Sequence, residues 1–211
     1  MSDVAKTLDA IMERVRENFV SKNAARETAL PLCREAIRLS ANAIRAVHRN
    51  DFATAQELAG KAGAQLATAK TSLAGHPDIY HAGFVHDAQK EFAEASITLA
   101  LVAGRELPGP ESLDVELPAY LNGMGEAVGE LRRHLLDTLR TGDVDRCEGW
   151  LQAMDDLYSV LVTVDYPDAM TGGLRRTTDV VRGILEKTRG DLTLSVQQRR
   201  LEQRLEEFGR Q

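Results

Sequence analysis

Cysteine is nearly absent from this chain: two in 211 residues, Cys33 and Cys147, with no C-x-x-C spacing and no histidine beside either. That excludes a disulfide framework and a cysteine-based zinc site, and it predicts a reduced, cytoplasmic setting with both thiols as small buried fillers. Aromatic residues are only 5% and proline numbers six, so a β-rich fold and a proline-punctuated linker are both disfavoured. No stretch reaches the roughly 18 apolar residues of a membrane span, and Met1 to Glu17 alternates charge with apolar residues without a hydrophobic signal region. The expectation is therefore neither a bilayer nor export. G-x-S-x-G, the P-loop and H-E-x-x-H are all missing, and the five histidines are scattered, so no nucleophile or zinc protease announces itself.

Ordinary globular usage is present, with 43% hydrophobic and 27% charged residues. Ala, Leu, Glu and Arg dominate, which predicts an all-α protein. Gly and Pro fall where helical patterns stop. The pattern predicts an antiparallel bundle of about seven helices: Asp3 to Ser21, Asn23 to Arg49 (continuous with the first or not), Asp51 to Leu73, Asp78 to Arg105, one opening at Pro118, one capped by Asp143, and Leu174 to Thr188. Asp51, Asp78 and Asp143 are the expected caps. Leu8, Ile11, Met12 and Val15 form the expected apolar stripe of the first helix, and Leu121, Met124, Val128, Leu131 and Leu135 that of the fifth. The segment Leu107-Pro108-Gly109-Pro110 is the expected long loop. Residues 1–190 read as a single domain and 191–211 as an amphipathic tail, with Leu194, Leu201, Leu205 and Phe208 at helical spacing beside Arg199, Arg200 and Arg204. Phe92, Trp150 and Tyr158 fall on apolar positions and read as core.

A net charge of −6 weighs against a nucleic-acid partner only if it is spread evenly, and it is not. Residues 1–50 carry nine Lys/Arg against six Asp/Glu, whereas residues 106–170 carry four against fourteen. Among the acids, Asp87, Glu91 and Glu94 are spaced i, i+4, i+7 on one helix, and Glu126 and Glu130 i, i+4 on the next. Both sets lie off the apolar stripe. Two carboxylate pairs on facing helices suit a hard cation such as Mg²⁺ or Mn²⁺, which serves phosphodiester cleavage by activating water. The di-iron alternative needs Glu-x-x-His, and the third residues after Glu94 and Glu130 are Ile97 and Arg133. With 32 acids in the chain, chance alone places about five acidic pairs at any chosen spacing, so spacing does not separate a metal site from a solvated face.

Arg34, Arg38, Arg45 and Arg49 step by four, seven and four along the second helix, with His48 adjoining and Arg14, Arg16, Lys22 and Arg26 upstream. One face of arginines suits a phosphate backbone. The same residues also suit ion pairs with Glu27, Glu35 and the acidic middle of the chain.

Several fragments in order resemble the translin superfamily over about residues 80–190. They are Lys90-Glu91-Phe92-Ala93-Glu94-Ala95, Leu113-Asp114-Val115-Glu116, Tyr120-Leu121-Asn122-Gly123, Gly129-Glu130-Leu131, Thr141-Gly142-Asp143-Val144-Asp145, Asp155-Asp156-Leu157-Tyr158 and Thr188-Arg189-Gly190. The resemblance implies a helical subunit that assembles into a hollow, roughly octameric homo-oligomer binding single-stranded RNA or DNA inside. Members resembling translin-associated factor X are Mg²⁺-dependent endoribonucleases, whereas translin itself binds nucleic acid without clear catalysis. The acids of the nuclease branch fall on Glu91, Glu94, Glu126 and Glu130, which the resemblance marks as both catalytic and metal-binding. Glu126 stands where that branch usually has Asp, so its ligand arm is longer. Asp87 lies outside the family pattern and is a candidate only for the surroundings of the metal. The nucleic-acid role of Arg34, Arg38, Arg45 and Arg49 rests on helical spacing. The expected function is a Mg²⁺- or Mn²⁺-dependent endoribonuclease on single-stranded RNA. The alternative is a non-catalytic RNA- or DNA-binding scaffold, and a weaker one a bundle that binds proteins only.

Overall fold

The computed structural model describes residues 3–209, and these form helices and turns with no strand. Six long helices carry the fold: α1 (Asp3–His48), α2 (Phe52–Ser72), α4 (Gly83–Val102), α6 (Leu117–Arg140), α7 (Val144–Leu161) and α9 (Leu174–Gly209). Three single-turn helices join them: α3 (Pro77–Tyr80), α5 (Pro110–Leu113) and α8 (Asp168–Thr171). α1 packs on α2 and α4, α4 on α6, and α6 on α7 and α9. α4 and α6 are thus the central pair, and the core is made of Ala, Leu, Val and Ile from every long helix. Phe92 is buried, Trp150 and Tyr158 pack against the core, and Cys33 and Cys147 are buried free thiols, as their positions predict.

The first two predicted helices are one. α1 runs through Pro31, which forfeits one backbone bond, because Ala29, Cys33, Ala36 and Leu39 are locked into the core on either side. The predicted stripe Leu8, Ile11, Met12 and Val15 is exposed rather than buried, since the first half of α1 extends past the end of the bundle. The last helix likewise runs on. Gly190 in a helix interior costs about 1 kcal/mol relative to Ala, but Leu192 beyond it is buried and Asp191 pairs with Arg132 of α6 at 2.7 Å, so the expected break there is absent. From about residue 197 the helix is exposed, Leu201, Leu205 and Phe208 included.

The fourth predicted helix is divided. Asp78 does not cap it but pairs with Lys22 of α1 at 2.7 Å, and Ala82 is extended between α3 and α4. Gln89 of α4 donates to the Tyr80 hydroxyl at 3.0 Å, which folds the α3 turn back onto α4. Asp51 and Asp143 do cap α2 and α7, accepting from the backbone N–H groups of Thr54 and Arg146. The proline-rich loop is anchored by Tyr120, whose hydroxyl donates to the Pro108 carbonyl at 2.8 Å, and ends in α5 with Pro110 in its first turn. No helix among the described residues is long and apolar enough to cross a membrane.

Candidate functional site

α4 and α6 cross at backbone contact, and a glycine makes this possible. A Cβ on Gly123 would meet the Lys90 carbonyl oxygen at 2.6 Å and the Ala93 Cβ at 2.9 Å. Glu91 and Glu94 leave α4 just beside this crossing, and Glu126 leaves α6 one turn on. One carboxylate oxygen from each lies within 4.8 Å of the others. Three of the four acids singled out in the sequence are therefore brought together.

Glu94 is buried at 9% exposure, and burial, followed by the charges of Glu91, Glu126 and Glu130, pushes its carboxyl up to about 8. The Glu91 carboxyl is also raised, by partial burial and then by Glu126. A cluster of acids that hold one another's protons in this way has an unmet need for positive charge. Part of it is met by Lys90, whose Nζ donates to Glu126 Oε1 at 2.6 Å and lies 3.9 Å from Glu91. Burial alone would lower the lysine pKa, but the hydrogen bond and charge of Glu126, with Glu91 and Asp87, raise it.

Glu130 sits one turn further along α6. Its charge is felt by Glu94, but its carboxylate is hydrogen-bonded to His48 Nε2 of α1, and this bond holds its pKa below the ordinary carboxylate range. Asp87 stays out of the cluster as an exposed side chain 3.9 Å from His86 Nδ1.

Sequence spacing did not single out Lys90, or His48 as a partner of Glu130. His48 and Glu130 are 82 residues apart, so no local pattern joins them. The available signal was that His48 lies four residues after Ile44, on the face of α1 that also buries Ala43 and Val47. His48 accordingly turns into the bundle, with a side chain only 6% exposed, and away from the arginines beside it in sequence. Its ring is 6.4 Å from that of His134, which packs edge-on to Trp150 at 5.1 Å. Burial, then the charge of His48, lowers the His134 pKa.

Beside the carboxylates an open cleft of about 670 Å³ runs between α4, α6 and the start of α9. Lys90, Glu94 and Glu126 line one side, and Arg176, Val180 and Ile184 of α9 the other.

Arg34, Arg38, Arg45 and Arg49 are all exposed along α1. Arg38 Nε donates to Glu35 at 2.8 Å and Arg45 to the Asn42 side chain at 2.8 Å, while Arg34 and Arg49 form no ion pair among the described residues. Glu27 pairs with Arg26 instead. Among the described residues none of the four arginines pairs with the acidic middle of the chain, and all four side chains are exposed, so the strip is a solvent-facing surface.

No protein-family model matches the chain. An uncharacterized protein of Methanocaldococcus jannaschii is 32% identical over 190 residues, which span 89% of this chain and 83% of that protein. Among solved structures, AfC3PO in complex with duplex RNA superposes with a TM-score of 0.81 at 31% identity, covering 89% of this chain and 97% of that one. AfC3PO without RNA matches with a TM-score of 0.80 at the same identity, covering 89% and 98%. Apo-NeC3PO matches with a TM-score of 0.78 at 21% identity over 87% and 96% of the two chains, a likeness of fold.

Proposed function

We propose that this chain, which belongs to the translin superfamily, is a Mg²⁺-dependent endoribonuclease. The observation that carries the reading is the convergence of Glu91, Glu94 and Glu126 within 4.8 Å at the α4–α6 crossing. Two oxygens on one Mg²⁺ stand about 3 to 4 Å apart, so three carboxylate oxygens within 4.8 Å of one another are close to the spacing a hard, octahedral cation needs, and an oxygen-only donor set favours Mg²⁺ or Mn²⁺. The raised carboxyl pKa values of Glu91 and Glu94 describe the same fit from the side of charge, because a divalent cation relieves the repulsion that burial intensifies. When bound, Mg²⁺ or Mn²⁺ neutralises the charge of a phosphodiester under in-line attack by water.

The remaining work falls to the chain itself. Glu91, Glu94 and Glu126 hold the cation. Glu130, fixed by His48, stands beside them as a deprotonated carboxylate able to accept a proton or join the ligand set. The exposed arginines of α1 track the backbone of the RNA outside the cleft.

Likeness to AfC3PO, solved with duplex RNA, supports an RNA partner and makes duplex as well as single-stranded RNA the substrates to try. The same likeness to C3PO, a translin-type complex, supports assembly into a hollow homo-oligomer. The exposed apolar residues of both protruding helix ends, Leu8, Ile11, Val15, Phe19, Leu201 and Phe208 among them, agree with burial between subunits. Light scattering tests the assembly, and a 23 kDa particle would overturn it.

One observation favours the scaffold alternative, in which RNA is bound without cleavage: Lys90 already supplies a cation to Glu126 at 2.6 Å. Incubation of labelled RNA with protein and Mg²⁺ separates the two. Cleavage that stops with EDTA and in both Glu91→Ala and Glu126→Ala supports the nuclease. RNA retained in gel shift without cleavage supports the scaffold.

A further inference from the structure

We propose that the cleft beside the carboxylates is a nucleotide-binding pocket in which Arg176 takes a phosphate of the RNA strand and Val180 and Ile184 support the adjoining base. This rests on the RNA-processing reading above and says which part of the chain delivers the strand to the carboxylates.

Arg176, Val180 and Ile184 are spaced i, i+4, i+8 on α9 and stack along one face, with neighbouring side chains about 5–6 Å apart. All three line the cleft opposite Glu94 and Glu126, so a cationic head and an apolar ledge follow one another along the wall. A phosphate and its base follow one another in the same way. The volume of about 670 Å³ lies within the range of about 300–1,000 Å³ used by small-ligand sites and accommodates one or two nucleotides.

The charges divide the cleft. Two basic residues line it, Lys90 and Arg176. Lys90 is committed to Glu126, whereas Arg176 is exposed and forms no ion pair among the described residues; its neighbour Arg175 takes Asp165 at 2.9 Å. Glu126 and the exposed Asp87 repel a phosphate from their own wall, and the guanidinium fork of Arg176 accepts it. The strand then lies along α9 within the cleft that the carboxylates also line. His86 lines the same cleft, with its Nε2 buried and without a hydrogen-bond partner. Val180 is 56% exposed, an apolar surface without a protein partner in a polar cleft. With no aromatic ring on the ledge, the base is supported by apolar contact and its identity is weakly read.

The α9 wall is rigid, as a binding surface requires. A Cβ on Gly125 would meet the Thr177 methyl at 2.3 Å, so α9 touches the α6 backbone here. The Thr177 hydroxyl donates to Asn122 Oδ1 at 2.6 Å, and Asn122 Nδ2 donates to the Thr171 carbonyl at 2.8 Å. Gly172 and Gly173, at φ +61° and +84°, make the turn that starts α9 at this point.

The test is binding of a diribonucleotide, uridylyl-uridine, to the full-length protein in EDTA, read by calorimetry or saturation-transfer NMR, so that cleavage plays no part. Saturable binding is expected, weakened about tenfold or more in Arg176→Ala and Val180→Glu and partly restored in Arg176→Lys. Circular dichroism confirms that the variants fold. Absence of dinucleotide binding, or binding indifferent to Arg176→Ala and Val180→Glu, overturns the pocket whatever the cleavage result. Arg176-dependent binding in a protein that cleaves nothing supports the pocket and overturns only the nuclease reading.

Discussion

The carboxylate cleft and the arginine strip of α1 are the two charged regions of this molecule, and they are built in opposite ways. Four arginines on one helix need only helical spacing to share a face, and they keep their charge in solvent, partnered at most by Glu35 and Asn42 from the same helix. Glu91, Glu94 and Glu126 come from two helices, and they meet because Gly123 lets the backbones touch. Exposure makes the strip inexpensive and its contacts weak. Burial makes the cluster costly, and costly charge is found where a ligand or a reaction uses it.

The contrast breaks most sharply in cleavage itself. Glu91→Ala and Glu126→Ala are expected to lower RNA cleavage about a hundredfold or more while leaving gel-shift retention intact. Equal loss of cleavage and retention would mean that the acids only hold the fold.

Stability against pH separates the regions next. Glu94 has its carboxyl raised from an ordinary 4.5 to about 8 in the metal-free protein. The folded state therefore keeps a proton that the unfolded chain has lost, and the stabilisation this group gives below pH 4.5 fades as pH rises toward 8. Thermal unfolding from pH 4 to 9 in EDTA is expected to show this decline in the wild type, on the order of a few kcal/mol, and a flatter profile in Glu94→Gln. Added Mn²⁺ reverses the decline in the wild type only. Identical profiles in the two proteins would remove Glu94 from the electrostatics of the site.

Gly123→Ala addresses the geometry. A methyl group placed 2.6 Å from the Lys90 carbonyl forces α4 and α6 apart, at a cost of about 1–3 kcal/mol seen in chemical denaturation. Cleavage is expected to fall with it, whereas the strip, which depends on no helix crossing, keeps its RNA affinity. Unchanged stability would show that the crossing has slack.

The strip is tested by charge reversal. Arg38→Glu with Arg45→Glu is expected to weaken RNA retention about tenfold at low salt and to reduce the salt dependence of binding, without changing the melting temperature. The smallest effect belongs to Glu35→Ala: its exposed pair with Arg38 is one turn of one helix, so the melting temperature stays the same and RNA affinity rises slightly as Arg38 is freed.

Much of this was legible in the sequence, residue by residue. The stripe Met124, Val128, Leu131 and Leu135 marked the buried face of α6, and Asp51 and Asp143 marked two helix starts, because periodicity and capping are local. Glu91 and Glu94 were placed on one face by their spacing, and the translin resemblance joined them to Glu126. The first half of α1 misled for a physical reason: Leu8, Ile11, Met12 and Val15 repeat as a core stripe does, and periodicity does not say whether another helix of the same chain covers the stripe. Gly190 reads as a stop and is not, because core residues on both sides carry α9 through it. His48 and Arg176 were not found as site residues, the first because its partner Glu130 is 82 positions away, the second because its cleft exists only once α9 lies on α6.

By itself, then, the sequence determined the all-helical class, the faces of the individual helices and the strip of arginines, since each follows from the 3.6-residue repeat and needs no second element. The tertiary structure alone decided that Glu130 belongs to His48, that Lys90 faces Glu126, and that Arg176 looks across a cleft at the carboxylates. Those pairings depend on how closely helices distant in the chain approach, and the approach is set by Gly123, Gly125 and the core packed around them.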